Sequence, residues 1–94
     1  MVLGSLRIEL HIGTSHSLKE KRSVIKSVIA KLRNEFNASV AEVDDQDLWQ
    51  RAVIGVACVG GDSHYVEGQL RAIVRWVEEN RPDLSILDVE SELL

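Results

Sequence analysis

The stretch from Ser17 to Phe36, SLKEKRSVIKSVIAKLRNEF, constrains the fold more than any other part of the chain. Ser17 is followed by Glu20 at the capping-box spacing, in which each side chain accepts from the other's free backbone N–H. Behind that start Leu18, Ile25, Val28, Ile29, Leu32 and Phe36 recur at helical spacing and make one apolar face. At about 100° per residue, Lys19, Arg22, Lys26 and Arg33 fall in a stripe beside it. The segment predicts a helix with a core side and a basic side. Asn37 stands where a left-handed residue can end such a helix.

Before the helix, Val2 to Ile12 alternates: Leu6, Ile8, Leu10 and Ile12 take one face, Ser5, Arg7, Glu9 and His11 the other. That is a strand with one face on a core. After it, Ala38 to Val43 predicts a short second strand, and Asp44 to Asp47 a polar turn. Arg51 to Val59, RAVIGVACV, is apolar on both alternating sets and suits a central strand. Gly60 and Gly61 break it, and Asp62 or Ser63 can cap a second helix carrying Val66, Leu70, Ile73, Val74 and Val77 on one face. Arg81-Pro82 stops that helix, and Leu84 to Glu90 predicts a final strand whose apolar residues alternate poorly.

The order is βαββαβ. Right-handed crossovers place both helices on one face of a four-stranded antiparallel sheet, with strands one and three central. The expected fold is therefore an α+β ferredoxin-like domain spanning residues 1–94. Two helices cover one face only, so either Val53, Gly55, Ala57 and Val59 or Ala52, Ile54, Val56 and Cys58 must look outward. A contiguous apolar sheet face marks an interface. A homodimer through Val53, Gly55, Ala57 and Val59, joined by Ala41 and Val43, is the expectation.

The net charge of −4 hides an asymmetry. Residues 19–33 carry six basic side chains and one acidic, whereas the remainder carries five basic and fourteen acidic. A segregated basic segment on an acidic protein suggests an anionic partner. Lys19, Lys21, Arg22, Lys26 and Arg33 are candidate phosphate contacts, with His16 and the free N–H groups at the helix start beside them. No apolar run approaches the roughly 20 residues of a membrane-spanning helix. The N-terminus lacks signal-peptide order, so a cytoplasmic location is expected.

Three segments together, SLKEKR at 17–22, FN-x-SVAEV at 36–43 and QDLWQ at 46–50, resemble the YlxP-like family of small bacterial proteins. The resemblance covers Leu3 to about Val59. It implies a ferredoxin-like fold and, because genes of the family commonly lie among those for translation initiation and ribosome maturation, a link to RNA or the ribosome. It implies no catalytic residue.

Other residue groups point to less. Strand three offers no aromatic side chain, so base stacking in the manner of RNA-recognition motifs is not expected. Trp49, at the start of strand three, is expected to seal one end of the core; Trp76 stands off the apolar centre of helix two. Asp44, Asp45 and Asp47 with Glu42 lack the Gly and distal Glu of a calcium loop and read as turn residues. His11, His16 and His64 form no ligand pair. Cys58, the one cysteine, reads as a buried thiol. No metal, no cofactor and no enzymatic activity are expected. The leading expectation is a binding module that contacts rRNA or a ribosomal subunit through the first helix; the alternative is a small-molecule-binding or regulatory dimerisation domain.

Overall fold

A computed structural model describes residues 1–94. The elements are β1 (Val2–His11), α1 (Leu18–Glu35), β2 (Ala38–Asp44), β3 (Arg51–Gly60), α2 (Ser63–Asn80) and β4 (Ser85–Leu93). They form one antiparallel sheet in the order β2-β3-β1-β4, the ferredoxin-like arrangement, with both helices packed on one face. Neither helix is long and apolar enough to cross a membrane.

The caps follow from the sequence. The Ser17 side chain accepts from the Glu20 N–H at 3.1 Å, and Asp62 Oδ1 accepts from the Tyr65 N–H at 2.9 Å. The reciprocal bond of the first cap is displaced by one residue: Glu20 Oε2 accepts from the N–H of His16 at 2.9 Å. The end of α1 corrects the expectation for Asn37. Phe36, the C-cap, is extended at φ −128°, and Asp45 is the one non-glycine residue with positive φ. The chain turns directly from α1 into β2, so no left-handed residue is needed there.

Leu6, Ile8, Leu10 and Ile12 meet Ala52, Ile54, Val56 and Cys58 on the helix side of the central strands. Ile25, Val28 and Leu32 of α1 and Val66, Leu70, Ile73 and Val77 of α2 close the core above them. Burial removes apolar surface from water at about 25 cal/mol per Å2, and this layer is the main source of stability. Burial also pushes the Cys58 thiol up, which keeps it neutral. A bidentate pair from Arg81 to Asp83, 3.0 and 2.8 Å, fixes the end of α2, and Arg81 also reaches Ser27 of α1 at 3.4 Å.

Gly4 sits where α2 presses closest on β1. A Cβ there would lie 2.5 Å from Val66 Cγ1 and 3.0 Å from Leu70 Cδ1. Gly4→Ala is therefore expected to lose about 1–3 kcal/mol through overpacking. Urea unfolding measures this, and an unchanged midpoint would mean that α2 stands further from the sheet.

The poor alternation of the last strand has a cause. The β1–β4 register shifts between Glu9 and Leu10, which leaves Leu87 as an extra residue. Ile86 and Val89 thereby both face the helices, opposite Leu10 and Ile8, although they are three residues apart. The outward face of β4 then carries Asp88, Glu90 and Glu92, opposite Glu9, Arg7 and Ser5. At the other edge, β2 bulges at Val43, and Arg33 Nη2 donates to the Val40 carbonyl at 2.7 Å. Acidic residues on one edge, and a bulge with a bound guanidinium on the other, oppose strand pairing with a neighbour.

Candidate nucleic-acid interface

The basic side of α1 is set by the helix period. Ile25, Val28 and Leu32 turn inward, which leaves Lys19, Arg22, Lys26, Lys31 and Arg33 exposed. Arg33 reaching Val40 shows that the stripe overlooks edge strand β2. Ion pairing singles this helix out. Of the five basic residues outside it, Arg7, Arg51, Arg71 and Arg81 each pair with a carboxylate. On α1, Lys19, Arg22, Lys26 and Lys31 have no acidic partner within 4.0 Å, on a protein of net charge −4. Arg33 keeps a charged head at the surface but spends one donor on Val40.

Lys21 does not belong to this surface. Its side chain is fully buried on the core face of α1, in line with Ile25, Val28 and Leu32. Nζ donates to the carbonyls of Asp45 at 2.8 Å, Gln46 at 3.1 Å and Arg51 at 3.3 Å, and lies 3.0 Å from Glu42 Oε2. Four oxygens thus surround an ammonium with three protons, and Glu42 Oε2 is the one left without a well-formed hydrogen bond. Removing Lys21 from the phosphate contacts is a correction with a plain cause: helical phase puts position 21 inward. The phase is legible in the sequence, since 21, 25, 28 and 32 fall on one side, but a lysine at position 21 matches the basic stripe in residue type.

The helix start is less open than its position suggests. Ser17 accepts from Glu20 N–H, Ser17 O accepts from Lys21 N–H, and the Glu20 carboxylate occupies the His16 N–H. Any phosphate there competes with a carboxylate already in place. His16 itself is exposed.

The sheet face away from the helices resolves the choice left open for β3. Ala52, Ile54, Val56 and Cys58 point into the core; Ala57 and Val59 are exposed and Gly55 half-exposed. Ala41 is exposed, and Val43 lies over Gly55, where a Cβ would meet its Cγ1 at 2.8 Å. Val53 is the exception: it shares this face but is 1% exposed. The Arg7–Asp44 pair, 3.4 Å, spans from β1 to β2 across β3, and Arg51 pairs with Glu9 at 3.2 Å beside it. Glu9 and Asp44 stand in register on either side of Val53, and its burial takes it out of any contact surface. The remaining apolar area is a corner of small residues, with a charged half next to it. No Phe, Tyr or Trp lies on the four strands.

Trp49 departs from expectation too. It is 56% exposed in the turn between β2 and β3, with Leu48 beside it, and seals nothing. The core end it was expected to close is closed by the Lys21 cage, and no local pattern announces that. Trp76 is half-buried against the core. Asp44 and Asp45 serve the turn, Asp44 Oδ1 accepting from the Asp45 N–H at 2.9 Å. A groove between α2 and β4 of about 500 Å3 is lined by Leu6, Leu70, Val74, Val89 and Leu93, with Glu67 and Arg71 at its rim paired to each other.

A family model described as a protein of unknown function, DUF503, matches residues 3–91. The uncharacterized protein YlxP of Bacillus subtilis is 34% identical over 77 residues, covering 82% of this chain and 84% of that protein. A VAO-type flavoprotein from Myceliophthora thermophila has a TM-score of 0.54 at 10% identity; the match takes in 99% of this chain and only 16% of the flavoprotein, so the likeness is one of fold. With the family model matching nearly end to end, the chain belongs to the YlxP-like DUF503 family.

Proposed function

We propose that the protein is a non-enzymatic module that binds structured RNA, such as rRNA in a ribosomal subunit, through the exposed basic side of α1. The observation that carries this reading is the set of cations without acidic partners, Lys19, Arg22, Lys26 and Lys31, gathered on one helix while four of the five other basic residues are neutralised. Like charge on an exposed helix carries a cost that an anionic partner removes. Phosphate contacts of this kind give affinity that depends on salt rather than sequence.

The test is binding to purified ribosomal subunits or to a structured rRNA fragment across a salt series. Four phosphate contacts correspond to a slope of about −3 to −4 in log K against log salt, between the single-strand and duplex values. Reversing Lys19, Arg22 and Lys26 to Glu is expected to cost at least about tenfold in affinity at low salt and to flatten that slope. Equal binding by wild type and this variant would sink the reading.

The second reading, self-association through the open sheet, is favoured by the exposed corner of Ala41, Val43, Ala57 and Val59. Ala57 faces outward between Ser5 and Ser39, so Ala57→Glu leaves the core untouched. Light scattering behind a sizing column is expected to show a dimer at micromolar concentration for the wild type and a monomer for Ala57→Glu. A monomeric wild type ends this reading. The apolar corner is small, and association carries several kcal/mol of entropic cost, so it ranks second.

A further inference from the structure

Trp49 is exposed, yet the turn that carries it is hydrogen-bonded from two sides. Lys21 grips this turn from inside through the carbonyls of Asp45, Gln46 and Arg51. From the other side, the Ile12 N–H donates to Gln50 O at 2.8 Å, and Gln50 Nε2 donates to Ser15 O at 3.0 Å and Gly13 O at 3.4 Å. Asp45 takes a left-handed conformation, φ 56°, and its carbonyl accepts from both Lys21 and the Leu48 N–H. The turn after β2 and the loop before α1 are thereby tied into one rigid rim.

Between them lies a shallow cleft lined by His11, Ser15, His16, Leu48, Trp49 and Arg51, with Gln50 at its base. We infer that this cleft takes an unpaired nucleobase, stacked on the Trp49 ring; the inference rests on the RNA-binding reading and places a base beside its phosphate contacts. Three features point to a base rather than to an apolar anchor from a protein. Only Leu48 and Trp49 are apolar, and the rest of the lining offers imidazole and guanidinium groups suited to the polar edge of a heteroaromatic ring. The backbone on either side of Trp49 is tied by hydrogen bonds at Gln46 and Gln50, so stacking on the exposed ring has little main chain left to order. The cleft also adjoins the start of α1, where Lys19 and Arg22 are free to meet the phosphates of the same strand.

The acids nearby define the role further. Arg51 is neutralised by Glu9, and Asp47 is exposed in the same turn. The cleft is therefore a base site and not a phosphate site, and Asp47→Asn is expected to raise affinity a few-fold. An unpaired base is required for stacking, so a single strand or a bulged loop is expected to bind better than an uninterrupted duplex of the same length.

The chain has two tryptophans, so Trp76→Phe leaves Trp49 as the only one. Titrating this variant with a short single-stranded RNA of mixed sequence is expected to quench Trp49 emission at saturation. Trp49→Ala is expected to weaken binding by roughly 10-fold or more with the salt slope retained, and Trp49→Phe to recover most of it. Reversal of Lys19 and Arg22 is expected to reduce both affinity and slope. Unchanged emission, with Trp49→Ala binding as tightly as wild type while the α1 reversals still abolish binding, would overturn the base site and leave the phosphate reading standing. Equal affinity for duplex and single strand would overturn it as well. A wild-type protein that binds no RNA would remove both readings.

Discussion

Lys21→Met is expected to destabilise the protein by about 3 kcal/mol, the low end of the range for breaking a buried ion pair by removing one partner. The low end applies because the Glu42 side chain keeps 17% exposure and can recover some hydration. Met has nearly the same length and shape, so the loss is electrostatic rather than a cavity. It strands Glu42 and three carbonyls, those of Asp45, Gln46 and Arg51, that now share the ammonium. Replacing Glu42 as well, as Lys21→Met/Glu42→Leu, is expected to recover only part of the loss, because the carbonyls still lack a donor. Urea unfolding of the two single variants and the double variant measures the coupling. A Lys21→Met variant within 0.5 kcal/mol of wild type, roughly the size of a neutral surface change, would mean that the ammonium is not caged. The turn carrying Trp49 is also expected to exchange its amide protons faster in this variant, since its inner anchor is gone.

Ile54→Pro is expected to cost about 3 kcal/mol or more and to leave much of the protein unfolded. Strand β3 is flanked by β2 and β1, so the N–H of residue 54 always points at a neighbouring strand. Proline removes that donor and its ring disturbs the ladder. Ile54 is also fully buried, so apolar packing is lost together with the hydrogen bond. Domains of this kind are stable by about 5–15 kcal/mol, so the loss is a large share of the total. Far-UV circular dichroism and a sizing column read the outcome. A folded, soluble Ile54→Pro variant would put β3 at an edge, against the order β2-β3-β1-β4.

Lys21 and Lys19 separate what holds the molecule together from what it presents. Lys21 and Lys19 are two residues apart and both basic, yet one is enclosed by oxygens and the other has no partner. Substituting Lys21 tests a structural anchor; substituting Lys19 tests a surface. A charge-reversal series on α1 that included position 21 would confuse unfolding with lost binding, so Lys21 is to be kept intact in any binding experiment.

The sequence by itself determined the order of elements, both helix starts and the core face of β1. These rest on local physics: period-two alternation, helical spacing, and a capping side chain within three residues of its target. It also placed Lys19, Arg22 and Lys26 on one exposed side of α1. Tertiary structure alone decided which face of β3 looks outward, because both alternating sets are apolar and the pattern has no sign until β1 and α1 fix a register. It decided the fate of Val53, which is 1% exposed on the outward face, flanked in register by Glu9 and Asp44, whose ion pairs with Arg51 and Arg7 run beside it. The bulge at Leu87 breaks the alternation in β4, so the sequence predicted the strand but not which of its residues face the helices. The turn that carries the exposed Trp49 is held by Lys21, whose carbonyl partners stand 24 to 30 residues away. Contacts between residues so far apart leave no periodic mark on the chain, and only the closed fold brings them to one place.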